Sequence, residues 1–359
     1  MIKLKSKKVS IVGTVGIPAC YGGFESLVEN LTVYKSKSVD YTVFCSSHAY
    51  EKKLDTHNDA ELVYLPLKAN GVQSIPYDIL SLVKCLNLKP DVVLILGVSG
   101  CIFLPFFKLF SKAKIVTNID GLEWKRDKWG WAVKKFLKFS ERIAVKFSDV
   151  VVTDNKAIGD YVDSEYRKEN VTIAYGGDHA IRSNLVDIPS NEDESDYALG
   201  LCRIEPENNV EMILEAFSKN SHKVKFVGNW ESSAFGKELK AKYKGYENIE
   251  LLDPIYDLDT LFQLRKNCSL YLHGHSAGGT NPSLVEMMHF GIPIFAFDCS
   301  FNRYSTDDKA HYFKDEEQLG DLVKNTSSKA LSDNANHMER IAKERYTWSE
   351  ISRHYELTY

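Results

Sequence analysis

The seven cysteines stand far apart, at 20, 45, 85, 101, 202, 268 and 299, with no CxxC pair and no metal-ligand spacing. An odd, scattered set excludes a disulfide framework and fits buried thiols in a reducing compartment. Positive charge is not in excess either: 45 basic against 49 acidic residues gives a net charge of -4, and nothing global points to nucleic acid. The longest apolar run, Val92–Phe107, is too short for a membrane span and is interrupted by Gly97, Gly100 and Pro105. The opening MIKLKSKKVSIVG has the basic-then-apolar order of a signal peptide. Gly13, Gly16 and Pro18 break that stretch, and it reads better as a first strand and its turn. Repeats and low-complexity tracts are lacking. A cytoplasmic protein is the expectation.

What is there is an ordinary globular composition, 44% hydrophobic and 26% charged, over 359 residues, which is enough for two domains. Val9–Gly13 (VSIVG), Tyr41–Cys45, Leu62–Leu65, Asp91–Leu96 (DVVLIL), Lys114–Asn118 and Asp149–Thr153 read as strands, several of them continuous apolar runs suited to burial on both faces. Helical spacing separates them, at Glu25–Tyr34, Ile75–Leu88, Ile102–Phe110, Lys125–Lys146 and from Asn155 to about Tyr166. After a polar, acidic stretch at Asn184–Ser195 the alternation restarts, with strands at Tyr197–Cys202, Val224–Val227, Ile249–Leu252 and Leu270–Leu272. This pattern predicts an α/β chain of two Rossmann-like domains with mainly parallel sheets, facing a ligand cleft at the strands' carboxyl ends. The expected divisions are 1–175, 176–335 and a closing helix over 336–359 that packs back toward the first domain.

The stretch LYLHGHSAGGTNPSLVEMMHFGIPIFAFD, Leu270–Asp298, organises the second half. It reads as strand, glycine loop, helix, turn and strand, with Asn281 as N-cap, Pro282 at the first helical position and Gly291 as C-terminal cap. Such a loop aims backbone N–H groups at an anion, most often phosphate, and Glu286 one turn later can accept from sugar hydroxyls. The same pattern also suits a plain strand–helix–strand connection. His273, His275, Ser276, Thr280 and Asn281, crowded onto one loop, weigh toward a ligand.

The first glycine turn, GTVGIPACYGGFE from Gly13 to Glu25, does not meet the dinucleotide fingerprint: Val15 stands where its second glycine belongs. A Tyr-x-x-x-Lys dyad occurs at Tyr64–Lys68, but Pro66 keeps it out of a helix, so a nicotinamide enzyme is disfavoured. A long glycine loop suits a diphosphate or a sugar equally well.

Taken together, GTVGIPACYGGFES, VTNIDGLEWKRDKW, LCRIEPENNVEMILEAF and HGHSAGGTNPSLVEMMHFGIPI resemble family 4 glycosyltransferases, and within them the bacterial rhamnosyltransferases that build capsule and O-antigen chains. The resemblance spans nearly the whole chain, with its motifs in order. It implies a GT-B fold, a nucleotide-diphosphate sugar as co-substrate, no other cofactor and no metal, and retention of configuration. The donor, a dTDP-sugar or UDP-sugar, would be held mainly by the second domain. A lipid-linked glycan acceptor would face the first, at the inner face of the cell membrane. Arg203 matches the arginine at the donor diphosphate, where a cation neutralises the leaving group; a surface ion pair with Glu205 or Glu207 is the plain alternative. The family's lysine five residues on is Asn208 here. Of its Glu-x7-Glu pair only the second carboxylate, Glu286, is present, because Gly278 occupies the first position. Asp120 falls where many members carry a histidine near the anomeric carbon, and an Asx turn before Gly121 is its plain reading.

The implied donor-binding set is thus Gly22, Gly23, Arg203, His275, Gly279, Thr280, Asn281 and Glu286, with Asp120 and Arg203 catalytic. Asp257 and Asp259 form a DxD, but Asp259 is better read as the cap of the next helix than as a metal ligand. Lys125–Lys146 carries eight basic and two acidic residues with tryptophans and phenylalanines interleaved. That is the make-up of an interfacial helix drawn to an anionic membrane surface, with Lys125, Arg126, Lys128, Trp129 and Trp131 facing membrane or acceptor. A surface helix packing its aromatics on the sheet is the competing reading.

Overall fold

The computed structural model describes residues 6–20, 22–125, 129–182 and 196–359. The chain divides into two compact units, Met1–Tyr175 with Trp348–Tyr359, and Gly176–Thr347. In the first unit the strands are β1 (Lys7–Val12), β2 (Val39–Ser46), β3 (Thr56–His57), β4 (Ala60–Leu65), β5 (Val92–Leu96), β6 (Lys114–Asn118), β7 (Val150–Thr153) and β8 (Val171–Thr172). Among the described residues they form one sheet in the order β3-β4-β2-β1-β5-β6-β7-β8. Every pairing is parallel except β3 with β4. Val9 sits opposite Tyr41 on one side and Val92 on the other. β5 is buried along its whole length, which is why DVVLIL has no polar alternation.

Helices α1 (Gly23–Val33), α2 (Ser74–Leu88), α3 (Leu104–Phe110), α4 (Trp131–Phe147) and α5 (Lys156–Tyr166) link these strands. Right-handed crossovers place α2 to α5 on one face of the sheet and α1 on the other.

In the second unit β9 (Ala198–Leu201), β10 (Val224–Val227), β11 (Ile249–Leu252), β12 (Leu270–His273), β13 (Ile294–Phe297) and β14 (His311–Phe313) pair in parallel in the order β11-β10-β9-β12-β13-β14. Its helices are α6 (Val210–Ser218), α7 (Ala234–Tyr243), α8 (Leu258–Lys266), α9 (Pro282–Met288), α10 (Ser300–Ser305), α11 (Glu316–Asn325) and α12 (Ser328–Arg345). The core gathers Ile213, Phe217, Phe226, Leu272 and Phe295 around Trp230, whose indole N–H donates to the Leu252 carbonyl at 2.9 Å.

Strand order reverses direction at β1/β5 in the first unit and at β9/β12 in the second. Loops leaving the carboxyl ends of neighbouring strands diverge at such points, and ligands of open α/β sheets bind there.

The closing amphipathic segment differs from the single helix expected over 336–359. It is two helices, α12 in the second unit and α13 (Trp348–Leu357) in the first. The break falls at Tyr346, whose carbonyl accepts from the Gly177 N–H at 2.7 Å and the His289 ring at 2.9 Å instead of continuing the helical ladder. α13 packs beside α1; Tyr355 is buried under the sheet, and the Tyr359 hydroxyl meets that of Tyr41 at 2.9 Å.

Candidate functional site

The residues singled out from sequence fall into two sets, one on each unit. In the second unit, the loops that follow β9 and β12 leave the switch point side by side and are stitched together. Asn208 is buried; its amide N–H donates to the Arg203 carbonyl at 2.7 Å, and its carbonyl oxygen lies 2.7 Å from His275 Nδ1. Because the donor end of that amide is spent on Arg203, the other end accepts, and His275 Nδ1 carries the hydrogen. Asn209 donates to the Gly274 carbonyl at 2.8 Å, and the Ser276 N–H and hydroxyl both donate to the Glu207 carbonyl, at 2.9 and 2.8 Å. From α10, the helix that follows the next strand, Asn302 donates to the His275 carbonyl at 2.8 Å.

Arg203 itself is exposed at the rim, 3.4 Å from Glu205. The surface ion pair anticipated as its plain alternative is therefore formed. A pair this exposed is worth little, and the guanidinium can exchange it for a better anion.

Gly278 has a φ of +117°, and a Cβ there would come within 3.1 Å of the His275 ring. A glutamate at this position would be strained, so the missing carboxylate is a matter of backbone geometry as well as of sequence. Asn281 caps α9 as expected, accepting from Ser283 N–H at 3.0 Å, with Pro282 next. α9 then ends at Met288, short of the Gly291 terminus expected from sequence.

Glu286 is not an isolated carboxylate. It pairs with the Arg265 guanidinium from α8 and stands 3.4 Å from His179. Burial alone would raise its carboxyl; Arg265 and His179 outweigh that and hold it below the usual range. Gly177 makes this possible. A Cβ there would lie 2.6 to 2.7 Å from the backbone of Val285 and Glu286, so only glycine lets the Asp178–Ala180 turn close on α9. Arg182 pairs with Asp259 at 2.8 Å, and Asp257, not Asp259, caps α8 by accepting from Thr260 N–H at 2.8 Å. Its helix is built by that acceptor, and the DxD is spent on structure. Among the described residues no cluster of three or more His, Cys, Asp or Glu side chains is placed to hold a metal ion.

In the first unit, the glycine loop after β1 is fixed by Glu25, a buried carboxylate on α1. It accepts from the Thr14 hydroxyl at 2.9 Å and the Val15 N–H at 2.8 Å, while the Tyr77 hydroxyl donates to the Thr14 carbonyl at 3.0 Å. Gly22, at φ +135°, precedes α1, which starts at Gly23, two residues earlier than expected. Asp120 follows β6 at φ +60°. The Asx turn is there, but Asn118 heads it: its side chain accepts from the Asp120 N–H at 3.0 Å, and its amide donates to Tyr355 of α13 at 2.8 Å. The rest of the IDGLEW loop hangs on Glu141, which accepts from Trp124 at 2.9 Å, Tyr161 at 2.7 Å and Tyr166 at 2.6 Å. Lys125 stacks over Trp124 and Tyr161, Trp129 donates to Glu123 at 2.9 Å, and Trp131 is 72% exposed. Arg126 and Lys128 lie outside the described residues.

Glu25, Asn118, Glu141, Gly177, His179 and Arg265 were not singled out from sequence. Each acts on a partner distant along the chain, except Glu25, whose place in the GGFE segment was a legible signal.

Compared with known families, residues 183–355 match the model of glycosyl transferases group 1. Residues 6–178 match a domain of unknown function (DUF1972). Comparison with curated proteins finds no match. Solved structures share the fold over the full length. A sucrose-phosphate synthase from Thermosynechococcus elongatus aligns with a TM-score of 0.77 at 11% identity, covering 98% of each chain. Anabaena HepE in complex with UDP and glucose gives 0.74 at 13%, covering 98% of this chain and 99% of that one. The catalytic domain of starch synthase IV from Arabidopsis thaliana, bound to ADP and acarbose, gives 0.72 at 12%, covering 99% and 98%. The chain thus has the GT-B type of α/β fold.

Proposed function

We propose that this chain transfers a sugar from a nucleotide-diphosphate donor to a hydroxyl of a lipid-linked oligosaccharide, in the synthesis of a cell-surface polysaccharide such as capsule or O-antigen. The observation that carries the reading is the stitched pair of loops at the β9/β12 switch point, which sets Arg203 beside the Gly274–Asn281 loop. In this scheme Arg203 takes the diphosphate, Gly279, Thr280 and Asn281 supply amide and hydroxyl donors to the phosphates, and His275 contacts the donor. Glu286 accepts from hydroxyls of the nucleoside sugar, its carboxylate kept charged by Arg265 and His179. Gly22 and Gly23 belong to the substrate-facing loop, and Asp120 stands at the reaction centre. The bond from C1 to the phosphate oxygen breaks, the acceptor oxygen bonds C1 on the same face, and the acceptor proton passes to the departing phosphate. The sugar is L-rhamnose and the donor dTDP-L-rhamnose, with the protein working peripherally at the inner face of the membrane.

A UDP-hexose donor is the second reading, favoured by the UDP and glucose held by the Anabaena neighbour. Incubation with dTDP- and UDP-sugars and a lipid-linked acceptor, followed by nucleotide diphosphate release, separates the two. Arg203→Ala should abolish release while leaving the melting temperature unchanged; near-wild-type turnover would sink the assignment. Absence of release with every donor–acceptor pair would instead leave a sugar-nucleotide-binding subunit.

A further inference from the structure

The first unit carries a surface that the donor-binding and catalytic roles do not use. In α3, Leu104 and Phe107 are buried, while Phe106, Leu109 and Phe110 stand 60, 74 and 76% exposed. The neighbouring α4 exposes Trp131, Lys135, Phe139, Arg142 and Lys146. At 3.6 residues per turn these five positions fall within about 80° of one another, a single stripe pointing away from the sheet. Acidic side chains take no part in it, because Glu141, the acid of this helix, is buried and engaged by Trp124, Tyr161 and Tyr166. Lys112 extends the basic character just beyond α3, and Lys135 Nζ lies over the Trp131 ring at 4.1 Å.

We propose that α3 and α4 together form the docking face for an anionic lipid bilayer. Five large apolar side chains raised on two touching helices are unfavourable in water and call for a cover. The interleaved cations decide which. A second copy of the chain would bring its own lysines and arginine onto the same stripe, which like-charge repulsion opposes. A bilayer accepts both components: the aromatic and leucine side chains enter the acyl boundary, and the cations meet headgroup phosphates. The face lies on the helices, whereas Lys125 and Trp129 are held by other side chains. Its purpose rests on the lipid-linked acceptor proposed above, but lipid binding is measured without donor or acceptor.

The full chain is sedimented with phosphatidylcholine vesicles, with and without about 30% phosphatidylglycerol, at about 0.1 M salt. Binding is expected to the anionic vesicles only. The triple variant K135E/R142E/K146E should lose about a hundredfold in affinity, and F106S/L109S/F110S at least about tenfold, both with unchanged melting temperature. Equal binding by wild type and both variants, or no binding by wild type, overturns the proposal. So does a concentration-dependent dimer lost in F106S/L109S/F110S without lipid binding, which gives the face to a second copy. Retention on an RNA or DNA oligomer in place of vesicles overturns it likewise. Vesicle binding without sugar transfer leaves this inference standing and removes the functional one; transfer without vesicle binding does the reverse.

Discussion

His273 ends β12 almost fully buried, and its Nε2 has no hydrogen-bond partner among the described residues. Burial, with His275 nearby, lowers its pKa to about 3. An unfolded histidine titrates near 6.5, so between these values the unfolded chain binds the extra proton and the folded chain does not. Stability is therefore lost as pH falls through 6.5 toward 3, by about 2 kcal/mol at about pH 5 relative to about pH 7.5. His273→Phe should match wild type near neutral pH, since no hydrogen bond is lost, and exceed it by about that amount at about pH 5. Urea midpoints at the two pH values check this; an equal acid loss in both proteins refutes it. Asn208 shows what sequence leaves hidden at this scale. In the sequence it registers as a lysine's lost charge. In the structure it bridges the Arg203 carbonyl and His275 Nδ1, a task that needs a donor and an acceptor on one side chain. Lysine has no acceptor, so the substitution exchanges a charge for a strut.

Elements were legible where their signal is local. VSIVG and DVVLIL declare doubly buried strands, and Asn281-Pro282 declares a helix start; each is found. The two- and three-residue strands β3 and β14 carry no such pattern, being defined by their partners. In α4 the exposed stripe follows from helical spacing, but the burial of Glu141 depends on tyrosines 20 and 25 residues away. The loop between β12 and α9 gives the prediction at this scale. Gly278→Glu recreates the family's carboxylate in sequence yet forces a side chain into φ +117° against His275. It should cost about 1–3 kcal/mol and displace the His275 ring, giving a lower melting temperature and no gain in donor affinity. A rise in affinity at unchanged stability would show that the loop relaxes freely.

At the scale of the molecule, the α/β class and parallel sheets follow from the βαβ alternation, and the strand-order reversals place Arg203 and the His275 loop at one rim. What alternation does not reveal is where the closing segment divides between the units, with α13 alone belonging to the first. Trp348, Ile351, Tyr355 and Tyr359 are all buried there, each worth about 1.5–3 kcal/mol, a sum comparable with the whole margin of a domain. Deleting Trp348–Tyr359 should abolish the unfolding transition of the first unit and spare that of the second. Trp230, the tryptophan of the second unit, reports the surviving transition by fluorescence; a first unit that still resists proteolysis would contradict this.

The position of α13 also sets a timetable for synthesis. A chain made from its amino end exposes β1 to β8 early, yet Tyr41 meets Tyr359, and Asn118 meets Tyr355, only after Gly176–Thr347 has emerged. The unit begun first is thus completed second. Until then the loop bearing Asp120 lacks its Tyr355 anchor, and a nascent chain carries a finished second unit before the first has its final helix.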